Sequence, residues 1–315
     1  MEIYSNCTAS YAIENGRIVE KIEFADPIAS NLLLEKEQQT PEEEKLLKKH
    51  PKATVLKTRN AAIVSLVSHD LQAMREISFR VAKRKIKDSV KNDTLIIQVI
   101  SHIDELDKSI NLLSKRLREW YELYNPEFSR AVESHERFVN TILIKSKDES
   151  LKELNIKETM GADLPKHDLE AIMHLAKQIK ALFELRKTQE EYLETLMKKE
   201  CPNITEVAGV AIGAKLISLA RSLERLSKFP ASTVQLLGAE KALFRHLRNR
   251  NNRPPKFGIL HEHPLVVQVA GKNKGKMARA IADKLSIAAK VDFFKGAYVG
   301  KQLAADVQKK AEELK

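Results

Sequence analysis

Residues 99–124 read VISHIDELDKSINLLSKRLREWYELY, and this stretch decides the fold. Val99, Ile103, Leu106, Ile110, Leu113, Leu117, Trp120 and Tyr124 recur at alternating spacings of four and three. That is an unbroken a/d seam set between polar faces such as Asp104-Glu105 and Lys115-Arg116, and it predicts a long helix with one apolar stripe. Asn125-Pro126 stops it. A second seam runs through Ile172, Leu175, Ile179 and Leu182, passes the polar Arg186 and Gln189, and resumes at Leu193 and Leu196. Two seam helices with a compact connection predict an antiparallel coiled-coil hairpin. Each helix buries only a stripe in the other, so residual apolar surface predicts a homodimer through Ile172, Leu175, Ile179, Leu182, Leu193 and Leu196. The polar pair at 186 and 189 weakens a simple two-stranded coil but helps to fix register.

Working outward, residues 1–60 mix short alternating runs with turn signals. Glu2–Tyr4, Tyr11–Ile13 and Arg17–Phe24 alternate, and Asn15-Gly16 predicts a hairpin turn between the last two. Thr40-Pro41-Glu42-Glu43 reads as N-cap, N1 proline and acidic first turn of a helix. Thr54–Leu56 is one more short strand, and a helix follows around Asp70–Ile86. Beyond the hairpin, Cys201-Pro202-Asn203 opens a last region of helical segments at Thr205–Leu219, Leu236–Arg250, Lys276–Ala289 and Gln302–Leu314. Gly209 and Gly213, four apart, predict close helix packing there. The predicted fold class is mostly α: a small α+β N-terminal domain (1–90), a coiled-coil hairpin (91–200) and an all-α C-terminal domain (201–315). Aromatic residues make up only 5% of the 315-residue chain, which argues against sandwiches and barrels. Two cysteines nearly two hundred residues apart support neither a disulfide framework nor a thiolate metal site, and no apolar run is long enough to span a membrane.

Charge is distributed unevenly. The net charge is +11, yet residues 201–315 hold 21 Lys and Arg against 9 Asp and Glu. The whole positive excess therefore sits in the last third, and a basic domain on a neutral body predicts a polyanionic partner, nucleic acid first. No nucleophile elbow, Walker loop or dinucleotide-binding glycine pattern is present, so neither catalytic residues nor a cofactor are predicted. His261-Glu262-His263 does not share a helical face and has no nearby third ligand, so it reads as loop or strand surface rather than metal site. Lys241, Arg245 and Arg248 follow at i, i+4 and i+7 and place three cations on one helix side. Lys272, Asn273, Lys274, Lys276 and Arg279 form a loop feeding a helix N-terminus, where backbone amides add to anion attraction. His246, Asn249, Asn252 and His261 are neighbouring planar groups suited to unpaired bases.

The wording of these segments resembles a known family. Gly238-Ala239-Glu240-Lys241-Ala242-Leu243-Phe244-Arg245-His246-Leu247 is similar to the signature of the Nop domain. Lys272-Asn273-Lys274-Gly275-Lys276, Ala278-Arg279 and Ala288-Ala289-Lys290-Val291-Asp292 resemble its second half, and Leu117-Arg118-Glu119-Trp120-Tyr121 resembles the coiled-coil signature of the same proteins. Order and spacing agree over roughly residues 90–295. The nearest resemblance is to the archaeal Nop-domain core proteins of box C/D small ribonucleoproteins. It implies an N-terminal domain that binds fibrillarin, the methyltransferase carrying S-adenosylmethionine, and a coiled coil that homodimerises. It also implies a Nop domain gripping a kink-turn of the box C/D guide RNA together with a small ribosomal-type protein bound there. Such a particle methylates ribose 2′-hydroxyls at sites chosen by guide pairing. On that resemblance Lys241, Arg245, His246, Arg248, Lys272, Asn273, Lys274, Lys276 and Arg279 would face RNA, and Ala239, Glu240 and Phe244 the small protein.

Two departures stand out. Positions 261–263 read His-Glu-His where relatives more often carry an aromatic or amide run. The lysine-rich tail of eukaryotic members is absent, which points to an archaeal source or a shortened chain. The resemblance implies a cytoplasmic protein if archaeal and a nucleolar one if eukaryotic. The alternative is a spliceosomal-type Nop-domain assembly factor without fibrillarin. It matches less well, because it lacks the N-terminal domain and the Arg-Glu-Trp-Tyr context.

Overall fold

The computed structural model of the chain describes residues 1–56, 63, 66–67 and 70–314. It resolves into two compact units, Met1–Lys91 and Asn92–Lys315, and the protein is mostly α with one small sheet.

In the first unit β1 (Glu2–Ser5), β2 (Ala9–Glu14), β3 (Arg17–Glu23) and β4 (Thr54–Val55) form a sheet of order β3-β2-β1-β4, with β4 parallel to β1. Asn15 and Gly16 both take left-handed backbone, at φ 48° and 75°, which is what a two-residue turn needs to match the strand twist. Alternation along β1 and β2 sends Ile3 and Ala12 to one face with Leu46, and Tyr4, Tyr11 and Ile13 to the other. Helix α1 (Pro27–Glu35) was not foreseen. Its Asp26 cap accepts from Ile28 and Ala29 N–H, but the apolar run ASNLLL is too short to show a period. In α2 (Pro41–Lys49) Thr40 and Glu43 form a reciprocal capping box. Glu43 also accepts from the Ser5 hydroxyl at 2.6 Å, and its neighbour Glu42 from the Ala25 N–H and the Ser30 hydroxyl. Both glutamates are buried, so carboxylates tie α2 to β1 and α1. Helix α3 (Leu71–Ser89) is capped by Asp70.

The second unit opens with α4 (Asn92–Glu122), which runs against α8 (Lys166–Glu200). Asn92 meets Glu200, and Asp107 meets Arg186, so the pairing is antiparallel. Two apolar clusters close the ends of this hairpin. At the base Ile96, Ile100 and Ile103 pack with Leu193 and Met197; at the tip Leu117 and Tyr121 pack with Ile172, Ala176 and Ile179. Between them Arg186 lies 2.5 Å from Asp107 and 3.0 Å from Glu190. The polar seam position thus pairs across the hairpin.

Near the tip the seam departs from its expected course. Trp120 is 39% exposed, and Tyr121 is buried in its place. Burial pushes the Tyr121 phenol up to about 12. The spacing of four from Leu117 to Tyr121 aims that ring at Phe128 and Phe138, 6.5 and 5.5 Å away between centroids. These come from α5 (Pro126–Ala131) and α6 (His135–Ile144), which with α7 (Lys147–Glu153) break the connection into short capped helices. Arg118 staples this tip: it donates to the Ser129 and Glu133 carbonyls and to His135 Nδ1, and covers the Phe138 ring at 4.4 Å. The Arg-Glu-Trp-Tyr wording therefore encodes tip packing.

Ile172, Ile179 and Leu193 are buried within the chain itself, and Leu175 and Leu196 pack half-buried against the same clusters. Their burial within one chain closes the hairpin, while Leu175, Leu182 and Leu196 keep part of their surface exposed.

From Cys201 the chain folds into helices that share the base cluster. They are α9 (Pro202–Ala208), α10 (Val210–Ala220), α11 (Leu223–Lys228), α12 (Ala231–Leu236) and α13 (Glu240–Arg248), then α14 (Pro264–Gln268), α15 (Lys274–Phe293) and α16 (Gly300–Leu314). Helices α9 and α10 are bent by 116° at Gly209, whose φ is 80°. Gly209 is thus a corner, whereas Gly213 is the close contact: a Cβ there would come within 2.9 Å of Ile204 and Met197. Helix α15 is the centre. Its Ala278, Ala282, Ala288 and Ala289 are fully buried, and small side chains let neighbours approach on several sides. Buried Asp292, near its end, accepts from Asn203 N–H, Asn203 Nδ2 and Ile204 N–H and so caps α9.

Ser114 is fully buried in the hairpin with a hydroxyl that makes no hydrogen bond. Ser114→Ala removes an unpaired polar atom at almost constant shape, so it should stabilise the chain by about 1 kcal/mol. A denaturant melt giving unchanged or lower stability would show that the hydroxyl is satisfied in solution.

Candidate nucleic-acid interface

The basic residues of the last third are presented by two backbone features that only glycine permits. Residue 238 takes φ 88° and ends α12, so one helix does not run through Leu236–Arg250 as the periodicity suggested. Glu240 reaches back to the Gly238 N–H at 2.7 Å and braces the turn into α13; that explains an acid amid cations. At Gly258 a Cβ would lie 1.8 Å from the Leu237 carbonyl oxygen. Here the returning chain lies directly on the end of α12, with Gly258 and Ile259 N–H donating to the Gln235 and Leu237 carbonyls. Gln235 Nε2 in turn donates to the Lys256 carbonyl at 2.6 Å and reaches Gly275 at 3.5 Å. One glutamine thereby ties the segment that follows α13 to the first turn of α15.

None of the residues of α13 is buried. Lys241, Phe244, Arg245 and Arg248 lie on one side of it, with Phe244 66% exposed between the cations. Past the helix the chain folds back: His246 Nδ1 meets the Asn252 carbonyl at 2.5 Å, and Asn252 Nδ2 donates to the Arg245 carbonyl. His246 and Asn252 are thus engaged in shaping the loop, and the exposed Arg250 and Arg253 flank them. Around α15, Lys272, Lys276 and Arg279 are exposed and Lys274 is half-buried. Asn273 spends its amide on the Leu314 carbonyl at 3.0 Å, holding the loop against the end of α16. The Lys256 side chain lies over Gly275, 3.6 Å from where a Cβ would stand.

Between residues 241 and 279 ten Lys and Arg side chains, at 241, 245, 248, 250, 253, 256, 272, 274, 276 and 279, have no carboxylate partner among the described residues. Several acids of this third are engaged elsewhere. Glu262 pairs with Lys215, Asp306 with Lys284, Glu313 with Lys310, Asp292 caps α9, and Glu206 accepts from Tyr298. An unneutralised surface of this size repels itself and attracts polyanions. Arg250, Arg253 and Lys256 were missed in the sequence because they lie in a Pro-rich loop without periodicity. Their basic spacing around Pro254-Pro255 was the available signal.

The cluster at 261–263 has a different role from the one expected. His261 and Glu262 are exposed, but His263 is buried rather than on a surface. Its Nε2–H donates to the Val207 carbonyl at 3.1 Å and its Nδ1 accepts from the Leu265 N–H at 3.2 Å. The ring is therefore neutral, and burial lowers its pKa. Cys201 is also fully buried, and burial raises its thiol pKa strongly, so the thiol is inert at neutral pH.

Comparison with known proteins places these features. A family model described as "Nop: snoRNA binding domain, fibrillarin" matches residues 102–313. A NOP5 family protein of Methanocaldococcus jannaschii is 44% identical over 255 residues, covering 76% of this chain and 61% of that protein. Nucleolar protein 56 of Schizosaccharomyces pombe is 40% identical over 69% of this chain and 48% of its own length, and nucleolar protein 58 of Coccidioides immitis is 38% identical over 73% and 41%. The chain thus spans about half the length of the curated relatives it matches. A crystal structure of a fibrillarin/Nop5p complex aligns over 99% of this chain and 100% of its own at 24% identity and a TM-score of 0.47.

The buried neutral His263 sets a pH dependence. Its folded pKa lies below the unfolded value of about 6.5, so its contribution is complete above that pH and is lost as pH falls through it. His135, lowered by burial and by Arg118, acts in the same direction. The melting temperature should be flat from pH 7 to 8 and fall between about pH 6.5 and 5. His263→Gln should melt lower at pH 7.5 but show a shallower acid slope. An undiminished slope in that variant would remove His263 from the account.

Proposed function

Since the chain belongs to the Nop family, we propose that it is the non-catalytic core protein of a box C/D guide-RNA particle. Three parts share the work. Residues 1–90 hold fibrillarin, the hairpin of residues 91–200 sets distance and pairs with a second copy, and residues 201–315 grip the RNA. RNA contact falls to Lys241, Arg245, His246, Arg248, Lys272, Asn273, Lys274, Lys276 and Arg279, joined by Arg250, Arg253 and Lys256. The ten cations without carboxylate partners among the described residues carry this reading, since phosphates are the anions that complete them. Ala239, Glu240 and the exposed Phe244 face the small ribosomal-type protein seated on the kink-turn, because an exposed aromatic among cations suits a composite surface of protein and RNA. The particle methylates ribose 2′-hydroxyls with fibrillarin's chemistry, in an archaeal cytoplasm or a nucleolus, and this chain supplies position alone.

Each lost phosphate contact flattens the slope of log K against log salt by roughly 0.7–0.9. Arg245→Ala with Lys274→Ala should therefore weaken binding to a preformed kink-turn RNA–protein complex and flatten the slope by roughly 1.5. Phe244→Ala should impair that ternary assembly and leave weak binding to naked RNA unchanged. Titration at two salt concentrations reads both effects. A wild-type slope in the double variant moves the RNA surface elsewhere; equal affinity for naked and protein-bound RNA refutes the composite surface.

A further inference from the structure

The basic residues of the last third stand on two separate pieces of chain. Lys241, Arg245 and Arg248 lie on α13, with Arg250, Arg253 and Lys256 in the loop after it. The others run from Lys272 to Arg279, at the head of α15. Lys256 lays its aliphatic stem over Gly275, 3.6 Å from where a Cβ would stand, which sets a third cation beside Lys274 and Lys276. Like charges that close repel one another. An aliphatic contact has no preferred direction, so this packing alone would let the two groups drift apart.

Gln235, half-buried near the end of α12, supplies the direction. Its backbone carbonyl accepts from the Gly258 N–H at 2.8 Å. Its side-chain nitrogen donates to the Lys256 carbonyl at 2.6 Å and, at 3.5 Å, to the Gly275 carbonyl in the first turn of α15. One amide nitrogen carries two hydrogens, and a helical carbonyl keeps a lone pair beside its own helix bond, so both contacts fit together. Among the described residues no other hydrogen bond joins the loop after α13 to the first turn of α15. The amide is also neutral. A carboxylate there could not donate to two carbonyls, a lysine would add a further positive charge, and asparagine is one methylene short of reaching both.

We infer that Gln235 is a positioning residue for RNA binding: by bridging the Lys256 and Gly275 carbonyls it fixes the spacing of the two cation groups, so that one RNA engages both at once. This rests on the proposal that these cations contact phosphates. Two contact sets held at a matched spacing bind as one, because the second engages at high effective concentration. A loosened spacing loses that gain without removing a single charge, since the ordering cost then falls on the binding step. Gln235 itself needs no contact with the RNA, because its amide nitrogen is committed to the two carbonyls.

The test is calorimetric titration of the full chain with a kink-turn RNA carrying its small ribosomal-type protein, at two salt concentrations. Gln235→Met keeps the length of the side chain and removes both donors. It should weaken binding about tenfold, within the range found for coupled neighbours. In the otherwise unaltered chain, Lys276→Ala with Arg279→Ala should flatten the salt slope by roughly 1.5. In the Gln235→Met background the same pair should flatten it by less than roughly 0.5, because the head of α15 is already disengaged. A role confined to stability would leave those two increments equal. A covalent link offers rescue. A Cβ at Gly275 would stand 3.6 Å from that of Lys256, within the roughly 3.5–4.5 Å that a disulfide spans. Gln235→Met with Lys256→Cys and Gly275→Cys should therefore bind roughly fivefold tighter oxidised than reduced. Gln235→Asn carries the same comparison of slopes if the methionine variant unfolds. Wild-type affinity in Gln235→Met, equal slope increments in the two backgrounds, or no gain on oxidation each overturn the inference and leave the RNA surface standing. An unchanged slope for Lys276→Ala with Arg279→Ala in the otherwise unaltered chain removes α15 from the RNA surface, and this inference falls with that reading.

Discussion

Everything in the second unit depends on how closely α10 lies against the end of the hairpin. Gly213 leaves no room for a side chain between α10 and the Met197 and Ile204 groups. That contact draws Ile96, Ile100 and Leu193 of the hairpin into the same buried cluster as Leu216, Ile217 and Leu285. A continuous core, rather than a linker, joins rod and basic head. Interiors packed at crystal-like density transmit displacement instead of absorbing it, so a force on the hairpin reaches the head as a rigid movement. Asp292 reinforces the joint by capping α9, the first helix after the hairpin, from the far end of α15.

That rigidity also explains how the basic surface is tolerated. Ten cations held together with no carboxylate partner among the described residues repel one another, and surface charge of this kind lowers stability through self-repulsion. The alanine-lined interior of α15 and the backbone contact at Gly258 hold them in place. The same segment keeps its neutral histidine inside and its cations outside. His263 and Gln235 fix the backbone by hydrogen bonds to carbonyls, which leaves the lysines and arginines around them free of structural duty. Glu262 and Asp306 are consumed by pairing with Lys215 and Lys284, and Asp292 by capping α9.

The elements with a strong local signal were legible in the sequence. The hairpin turn at Asn15-Gly16, the capping box at Thr40 and both long helices follow from period and cap chemistry that neighbouring residues carry themselves. Trp120 was misplaced for a physical reason. Seven-residue bookkeeping assumes a partner helix along the whole rod, and at the tip the partner becomes α5 and α6, which Tyr121 faces one residue later. The role of Gly209 as a corner and the break at Gly238 depend on backbone dihedrals set by tertiary packing, which no periodicity records, whereas α1 carries a local start signal in Asp26-Pro27 and only lacks a run long enough to show a period. The basic faces at 241–248 and 272–279 were visible, but not that Gln235 and Lys256 join them, because that joining is made through carbonyls. The hairpin seam was legible as a seam, and within one chain it is covered by the facing helix and the tip helices. A stripe pattern shows that something covers it, not which chain does.

The polar middle of the hairpin makes sense in the same terms. Leu106 and Ile110 are buried between the two end clusters, yet Arg186 takes a seam position there and reaches Asp107 and Glu190. A leucine at 186 would add apolar burial, and exposed or half-exposed ion pairs contribute little stability. What the arginine adds is register. A purely apolar antiparallel pair slipped by one heptad keeps most of its contacts, but the slip moves one helix along the other by about 10 Å. In this hairpin such a slip would part Arg186 from Asp107 and strand it beside aliphatic side chains. It would also pull Ile172 and Ile179 away from Tyr121 and Phe138 at the tip, while Met197 left Gly213 at the base. Three unlike contacts, one polar and two apolar, have to be satisfied at once along a helix of 35 residues, and only one alignment does so. A rod that fixes a distance needs that single alignment more than it needs extra stability.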